Sequence, residues 1–262
     1  MGNAAQVTAF GMSDVGLARK VNEDAFGFVN LTNADRWQGG GAVTWTCAGA
    51  GVLLEVSDGM GGAKAGEVAS ALSIEGVLEG MLEAARRGEP NDHTLSSVIE
   101  RVSKRVNELG HRPDRQGMGA TLTAVLVKAK TAYVAQIGDS RAYLLREGAI
   151  GQITKDQSYV QMLVDAGVMT PEQAERSPRK NIILQVMGQE SVKVDVGRIA
   201  LRSGDRLLLC SDGLTNVIDD EGIRAIAKSP ADIVRAVEML IRATRDGGAP
   251  DNVTAILAEF SC

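Results

Sequence analysis

Residues 52–62 read V-L-L-E-V-S-D-G-M-G-G, an apolar run that ends on Asp58 and is followed by three glycines in four positions. The run is too short and too rich in β-formers for a helix, so it predicts a buried strand that delivers Asp58 to a sharp turn. Gly59, Gly61 and Gly62 remove Cβ atoms where the chain doubles back, which allows another group to approach the main chain closely. Asp-Gly after a strand is also ordinary turn chemistry, and one isolated copy would carry no more than that.

The device recurs. L-L-L-C-S-D-G-L at 207–214 is a second apolar strand ending in Ser-Asp-Gly, and further acids stand at strand ends in Q-I-G-D-S (136–140), P-D-N-V-T (250–254) and N-E-D (22–24). Independent turns do not need an acid each. Carboxylates carried on rigid strands and aimed at one point form a site for a hard cation such as Mg²⁺ or Mn²⁺, which takes oxygen ligands in fixed geometry. The expected cluster draws on Asp58, Asp139, Asp212, Asp251, Glu23 and Asp24. Arg19 lies just ahead of two of these acids, and taken alone reads as a surface ion pair.

Composition narrows the field. The chain has 262 residues, 44% of them hydrophobic but only 3% aromatic, so its core is built from aliphatic side chains. A net charge of −5 leaves no excess of Lys and Arg to neutralise phosphates, which argues against nucleic-acid or anionic-membrane binding. Three cysteines at unrelated spacings and two histidines exclude a zinc cluster and a disulfide framework. With no signal peptide and no apolar run near eighteen residues, a reduced cytoplasmic protein is expected.

Along the chain, strands are expected at 8–11 and 24–29. The segment 30–50 carries both tryptophans, Trp37 and Trp45, and reads as a hairpin-like excursion, its Trp rings either exposed for a partner or packed over a sheet edge. A helix over 65–85 has Val68, Leu72, Val77 and Met81 along one side. A second over 93–109 places Leu95, Val98, Ile99, Val102, Val106 and Leu109 on one face. Strands at 119–127, 131–137 and 141–147 read as an antiparallel meander with Asp139 in its second turn. Helical signals at 156–166 and a capping box at Thr170–Gln173 mark a flap inserted at about 156–190. Strands at 192–201 and 205–211, a helix capped by Ser229-Pro230-Ala231-Asp232 with face Ile233, Val237, Leu240 and Ile241, and a strand at 252–260 complete one domain, 1–262. Segregated strands and helices predict an α+β layered sandwich.

The ordered set R-x-x-N-E-D (19–24), D-G-M-G-G (58–62), G-x-G-A-T-L-T (117–123), I-G-D-S-R (137–141), S-D-G-L (211–214) and D-N-V-T (251–254) resembles the bacterial metal-dependent serine/threonine protein phosphatases of type 2C, the PPM family. The resemblance spans nearly the whole chain. It implies a four-layer αββα sandwich, two antiparallel sheets flanked by helix pairs, and hydrolysis of phosphoserine and phosphothreonine by in-line attack of a metal-bridged hydroxide at a binuclear Mn²⁺ or Mg²⁺ centre. By matching position, Asp58 bridges both metals, the Gly59 carbonyl holds one, and Asp212 and Asp251 hold the other. Asp139 with Asp212 matches a weaker third ion. Glu23 and Asp24 support these ligands, and Arg19 grips the substrate phosphate, a task suited to a two-pronged guanidinium. The implied partners are phosphorylated proteins and an opposing Ser/Thr kinase, with the enzyme itself a monomer.

Two departures stand out: the flap reads Ser177-Pro178-Arg179-Lys180-Asn181 where bacterial relatives often carry His-Pro, and the 30–50 excursion is long. Met60 occupies the place where eukaryotic relatives often have a histidine able to protonate the leaving group. The alternative to an enzyme is a non-catalytic, phosphatase-like binding module, which would be free to lose its metal acids. All of them are present here.

Overall fold

The computed structural model describes residues 5–61, 65–88, 90–228 and 232–262. Two of the sequence readings therefore fall partly outside the described residues: Gly62 of the glycine turn, and Ser229, Pro230 and Ala231 of the helix cap.

Strands β1 (Gln6–Asp14), β2 (Asp24–Asn30), β3 (Asp35–Arg36), β4 (Val43–Thr46) and β5 (Val52–Met60) come first, followed by helices α1 (Ala65–Arg86) and α2 (Asp92–Gly110). Then come β6 (Gly119–Ala120), β7 (Leu122–Lys128), β8 (Thr131–Ile137), β9 (Arg141–Arg146) and β10 (Ala149–Gln152). The flap contributes α3 (Tyr159–Asp165) and α4 (Pro171–Glu175), the latter opened by the predicted capping box between Thr170 and Gln173. β11 (Asp195–Ala200), β12 (Arg206–Cys210), α5 (Asp212–Thr215), α6 (Asp220–Ala227), α7 (Ile233–Asp246) and β13 (Val253–Ser261) follow.

The strands form two antiparallel sheets. One runs β10-β9-β12-β13-β1-β4, the other β11-β8-β7-β5-β2-β3, with β6 paired to the end of β5. Alternation along the strands splits the core into layers. On β5, Val52, Leu54 and Val56 face the opposite sheet, where they meet Ala9, Leu209, Ile256 and Ala258, while Leu53 faces outward against α1 and α2. A third layer packs α5, α6 and α7 on the other sheet through Leu214, Ile223, Val237, Leu240 and Ile241. This is the expected αββα sandwich. Among the described residues, no helix is long and apolar enough to cross a membrane.

The helices show how closely the sequence periodicity was followed. The predicted face of α2 is buried except at Leu109, which is partly so. On α1, Val77 and Met81 are buried, but Val68 and Leu72 only flank the core, because this helix packs on the sheet and on α2 at once and buries Ala69, Ser73, Ile74 and Leu78 as well. Gly76 and Gly80, which look like defects in a helix, are where α2 comes closest: a Cβ at either would stand 2.9 and 2.6 Å from Val102 and Val98.

Two expectations fail in the same way. The segment 119–147 is no single meander, since β8 pairs with β7 in one sheet and β9 with β12 and β10 in the other. The turn at 138–140 is a corner where the chain crosses between sheets. The 30–50 segment is no hairpin either, because β3 pairs with β2 while β4 pairs with β1 across the sandwich. Its tryptophans close the gap it spans. Trp37 stacks on Phe28 with ring centroids 4.7 Å apart and meets Phe10 edge-on, and Trp45 is buried and donates to Asp35 Oδ2 at 2.8 Å. Of the two alternatives, Trp45 thus takes the packed one outright, and Trp37, half-buried, packs on the phenylalanines.

Candidate metal centre

The predicted acids all lie at one end of the sandwich because the strands that carry them end there. Asp24 opens β2 directly opposite Asp58 near the end of β5. Asp212 follows β12 at the start of α5, Asp251 precedes β13, and Asp139 sits on the corner between β8 and β9. Both sheets thus contribute.

Neutral polar side chains hold this end in register. Asp58 N donates to Thr121 Oγ1 at 2.9 Å, and Thr121 N returns a bond to the Asp58 carbonyl at 2.8 Å. Thr121 Oγ1 meets Ser140 Oγ at 2.7 Å, and the Gln136 amide donates to the carbonyls of Gly138 and Ser140, so the corner carrying Asp139 is locked to Asp58. Asn252 does the same for the first loop: its Nδ2 donates to the carbonyls of Val15 and Val21, and its Oδ1 accepts from Glu23 N at 2.8 Å. Gly59 must be glycine, since a Cβ there would lie 2.1 Å from the Gly66 carbonyl oxygen and 2.6 Å from that of Glu23.

Asp24 Oδ2 accepts from Ser211 Oγ and Thr254 Oγ1, each at 2.7 Å. Because Thr254 donates its proton there, its oxygen accepts from Ser13, which in turn accepts from Asn22 Nδ2 at 2.8 Å. The other oxygen, Asp24 Oδ1, is buried without a partner. Arg19 Nη2 donates to Asp251 Oδ2 at 2.7 Å, and Asp251 Oδ1 takes the N–H of Asn252. Asp212 Oδ2 accepts from Asn216 Nδ2 at 2.9 Å, and Asn216 Oδ1 accepts from Lys180 Nζ at 2.7 Å.

The electrostatics of the cluster are those of an anionic site short of cations. Burial, then repulsion from Asp24, Asp212, Asp139 and Asp251, holds the Asp58 carboxyl well above the usual carboxylate range. Burial pushes Asp24 up to about 7 against the hydrogen bonds from Thr254 and Ser211. Asp139 also rises to about 7, through burial and then Asp212. Burial and Asp251 raise Asp212, and burial raises Glu23 against the pull of Arg19. Such a set is destabilising until positive charge arrives.

Hard cations fit this site: every donor is an oxygen, adjacent buried acids repel one another, and the orphaned Asp24 Oδ1 lacks a positive partner. The coordination shell is not already assembled, for among the described residues no three acid, His or Cys side chains stand together as a ligand set. Asp251 is turned to Arg19, which therefore stands in the structure as an ion partner of a predicted ligand. Neither histidine belongs to the centre; His93 lies in the first turn of the outer helix α2, and His111 caps its end with Nδ1 against the Asn107 carbonyl.

A search for acids alone passes over Thr121, Ser140, Ser211, Asn252 and Thr254, although each lies inside a quoted motif and all five are buried polar residues. Gln136 opens the quoted Q-I-G-D-S and Lys180 stands in the altered flap stretch, whereas Asn216 carries no such signal. Arg141, the last residue of I-G-D-S-R, grips Asp156 with two nitrogens and fixes the root of the flap.

Residues 29–258 match the family described as Protein phosphatase 2C. The chain is 39% identical over 211 residues to the serine/threonine protein phosphatase PstP of Mycobacterium tuberculosis, a match that covers 79% of this chain and 40% of that relative's length. It is 37% identical over 212 residues to the protein phosphatase PhpP of Streptococcus pneumoniae, covering 80% of this chain and 86% of the relative. A solved structure of the catalytic domain of PstP in complex with two manganese ions superimposes with a TM-score of 0.79 at 34% identity, covering 98% of this chain and 100% of that one.

Proposed function

This chain belongs to the protein phosphatase 2C family, and from that premise we propose that it is a single catalytic domain that removes phosphate from phosphoserine and phosphothreonine in proteins at a two-metal centre. The observation that carries the reading is the convergence, at one end of the sandwich, of buried acids from both sheets with raised proton affinity and an orphaned oxygen.

Asp58 would bridge two ions, Mn²⁺ or Mg²⁺, with the Gly59 carbonyl on one and Asp212 and Asp251 on the other, and Asp139 would serve a third, weaker one. When bound, such ions supply Lewis-acid charge to the phosphoryl oxygens and acidify water for in-line attack. The chain's own part is positioning. Thr121 and Gln136 hold Asp58 and Asp139 in register, Ser211 and Thr254 fix the face that Asp24 presents, and Asn252 ties the Glu23 loop to Asp251. Arg19, half exposed, is placed at the rim to exchange Asp251 for a substrate phosphate. The partners proposed are phosphorylated proteins and the Ser/Thr kinase that makes them, met by a monomer in the cytoplasm.

Phosphate release from a phosphothreonine peptide with Mn²⁺, and its loss with EDTA, is the expected result. Release that persists in EDTA would sink the metal mechanism, and no release with Mn²⁺ or Mg²⁺ would favour the non-catalytic module.

A further inference from the structure

We propose that Lys180 is a positioning residue that couples the flap to the metal centre, acting through Asn216 on Asp212. The inference rests on the metal reading above and goes beyond it.

The chain of contacts has only one sense. A lysine ammonium can only donate and an ionised carboxylate can only accept, so the Asn216 amide between them has its oxygen on Lys180 Nζ (2.7 Å) and its nitrogen on Asp212 Oδ2 (2.9 Å). The main chain of Asn216 is fixed as well, its N–H bonded to the Asp212 carbonyl at 2.8 Å at the end of α5. Asp212 therefore meets any ion with one oxygen already committed and the other presented, which is how outer partners orient metal-binding carboxylates.

On the flap side, little else decides the pose. Val168 is 70% exposed, Ile182 47% and Met162 46%, while α3 buries only Val160 and α4 only Ala174. The flap is sewn to the body at its two roots, by Arg141 on Asp156 and by the Ala120–Met187 bridge. Among the described residues 170–183, the side-chain hydrogen bond that leaves the flap is the one from Lys180. Flap position and Asp212 orientation are then one equilibrium, and whatever orders one orders the other to the same extent.

Two measurements on the intact chain test this: Mn²⁺ affinity by calorimetry, and hydrogen exchange of the amides at 176–186 with and without Mn²⁺. In the wild type, Mn²⁺ should slow exchange in that segment. Lys180→Met should weaken Mn²⁺ binding about threefold or more and cancel the slowing, Lys180→Arg should retain both, and Asn216→Ala should weaken binding by about 10–100-fold. Lys180→Met with wild-type Mn²⁺ affinity and wild-type protection overturns the proposal. So does a variant whose KM for a phosphopeptide rises while neither reading moves, since Lys180 would then touch substrate. Wild-type protein that takes up no Mn²⁺ overturns the metal reading and this inference together, whereas either Lys180 result overturns this inference alone.

Discussion

Glu55 and Asp58 ride on the same strand, and burial holds both carboxyls well above the usual range, but only Asp58 has a cluster around it. Glu55 is fully buried, on the same side of β5 as Leu53 and so toward the helix layer, and neither of its oxygens has a hydrogen-bond partner. Its folded proton affinity lies above the ordinary 4.5, so the folded chain keeps a proton that the unfolded chain loses, and stability falls as pH rises past that value. Glu55→Met should therefore stabilise the protein by about 1–3 kcal/mol at pH 8, and by less at pH 5.5. Urea unfolding at the two pH values checks this, and a Met variant weaker at both would show that the carboxyl has a partner. Asp58→Asn should do the reverse to function: Mn²⁺ binding and turnover fall by more than ~100-fold, beyond the loss usual for outer partners, while the EDTA-treated protein becomes no less stable, because repulsion with Asp24 and Asp212 is relieved. A variant that still binds Mn²⁺ normally would remove Asp58 from the bridging role. Asp58 was legible because its neighbours in sequence announce a strand end. Glu55 was not, since a run with four apolar neighbours reads as apolar, and what a lone acid faces is decided by packing.

Among the elements, α2 and α7 were readable because their apolar residues recur at helical spacing on one face, and β5 and β13 because both sides of each are covered. Periodicity says where a strand is, not which sheet it joins. The corner at 138–140 looks like a hairpin turn in sequence, yet Gln136 bonds the carbonyls on both its sides and β9 leaves for the other sheet. The short elements β10, α5 and α6 were passed over, the four-residue α5 because its start coincides with the Ser-Asp-Gly signal. The 30–50 segment works as a strap whose Trp37 fills the space among Phe10, Phe26 and Phe28. Trp37→Ala should cost about 2–4 kcal/mol, somewhat under the range for a fully buried ring. Excising 33–41 should lower activity on an aryl phosphate and on a phosphoprotein alike, in step with a lower melting temperature. Loss on the phosphoprotein alone would show instead that the segment selects substrates.

At the scale of the whole molecule, the acid cluster makes stability depend on pH and metal together. Asp24 and Asp139 bind protons up to about pH 7 when folded but only near 3.8 when unfolded, so the metal-free protein loses stability as pH rises through that interval. Acids held below their usual range, such as Asp205 beside Arg146, act only at lower pH. Melting curves in EDTA should thus fall from pH 5.5 to 8, while saturating Mn²⁺, whose ligands must be deprotonated, should flatten or invert the trend. A melting temperature in EDTA that climbs over this range would contradict the cluster. The sheet order has a further consequence, for the way the chain acquires its shape during synthesis. Every strand of the sheet bearing β5 has been made by Ala200, whereas the other sheet has β13 in its middle, paired to β12 on one side and to β1 on the other, Gln6 against Ser261. A nascent chain stopped short of Val253 can complete one sheet and leaves the other as two separated pieces with unsatisfied edges. Closure of such distant pairs is slow, so on the ribosome β1 waits for Val253–Ser261 with one edge unpaired, and in that interval the edge is open to aggregation and to chaperones.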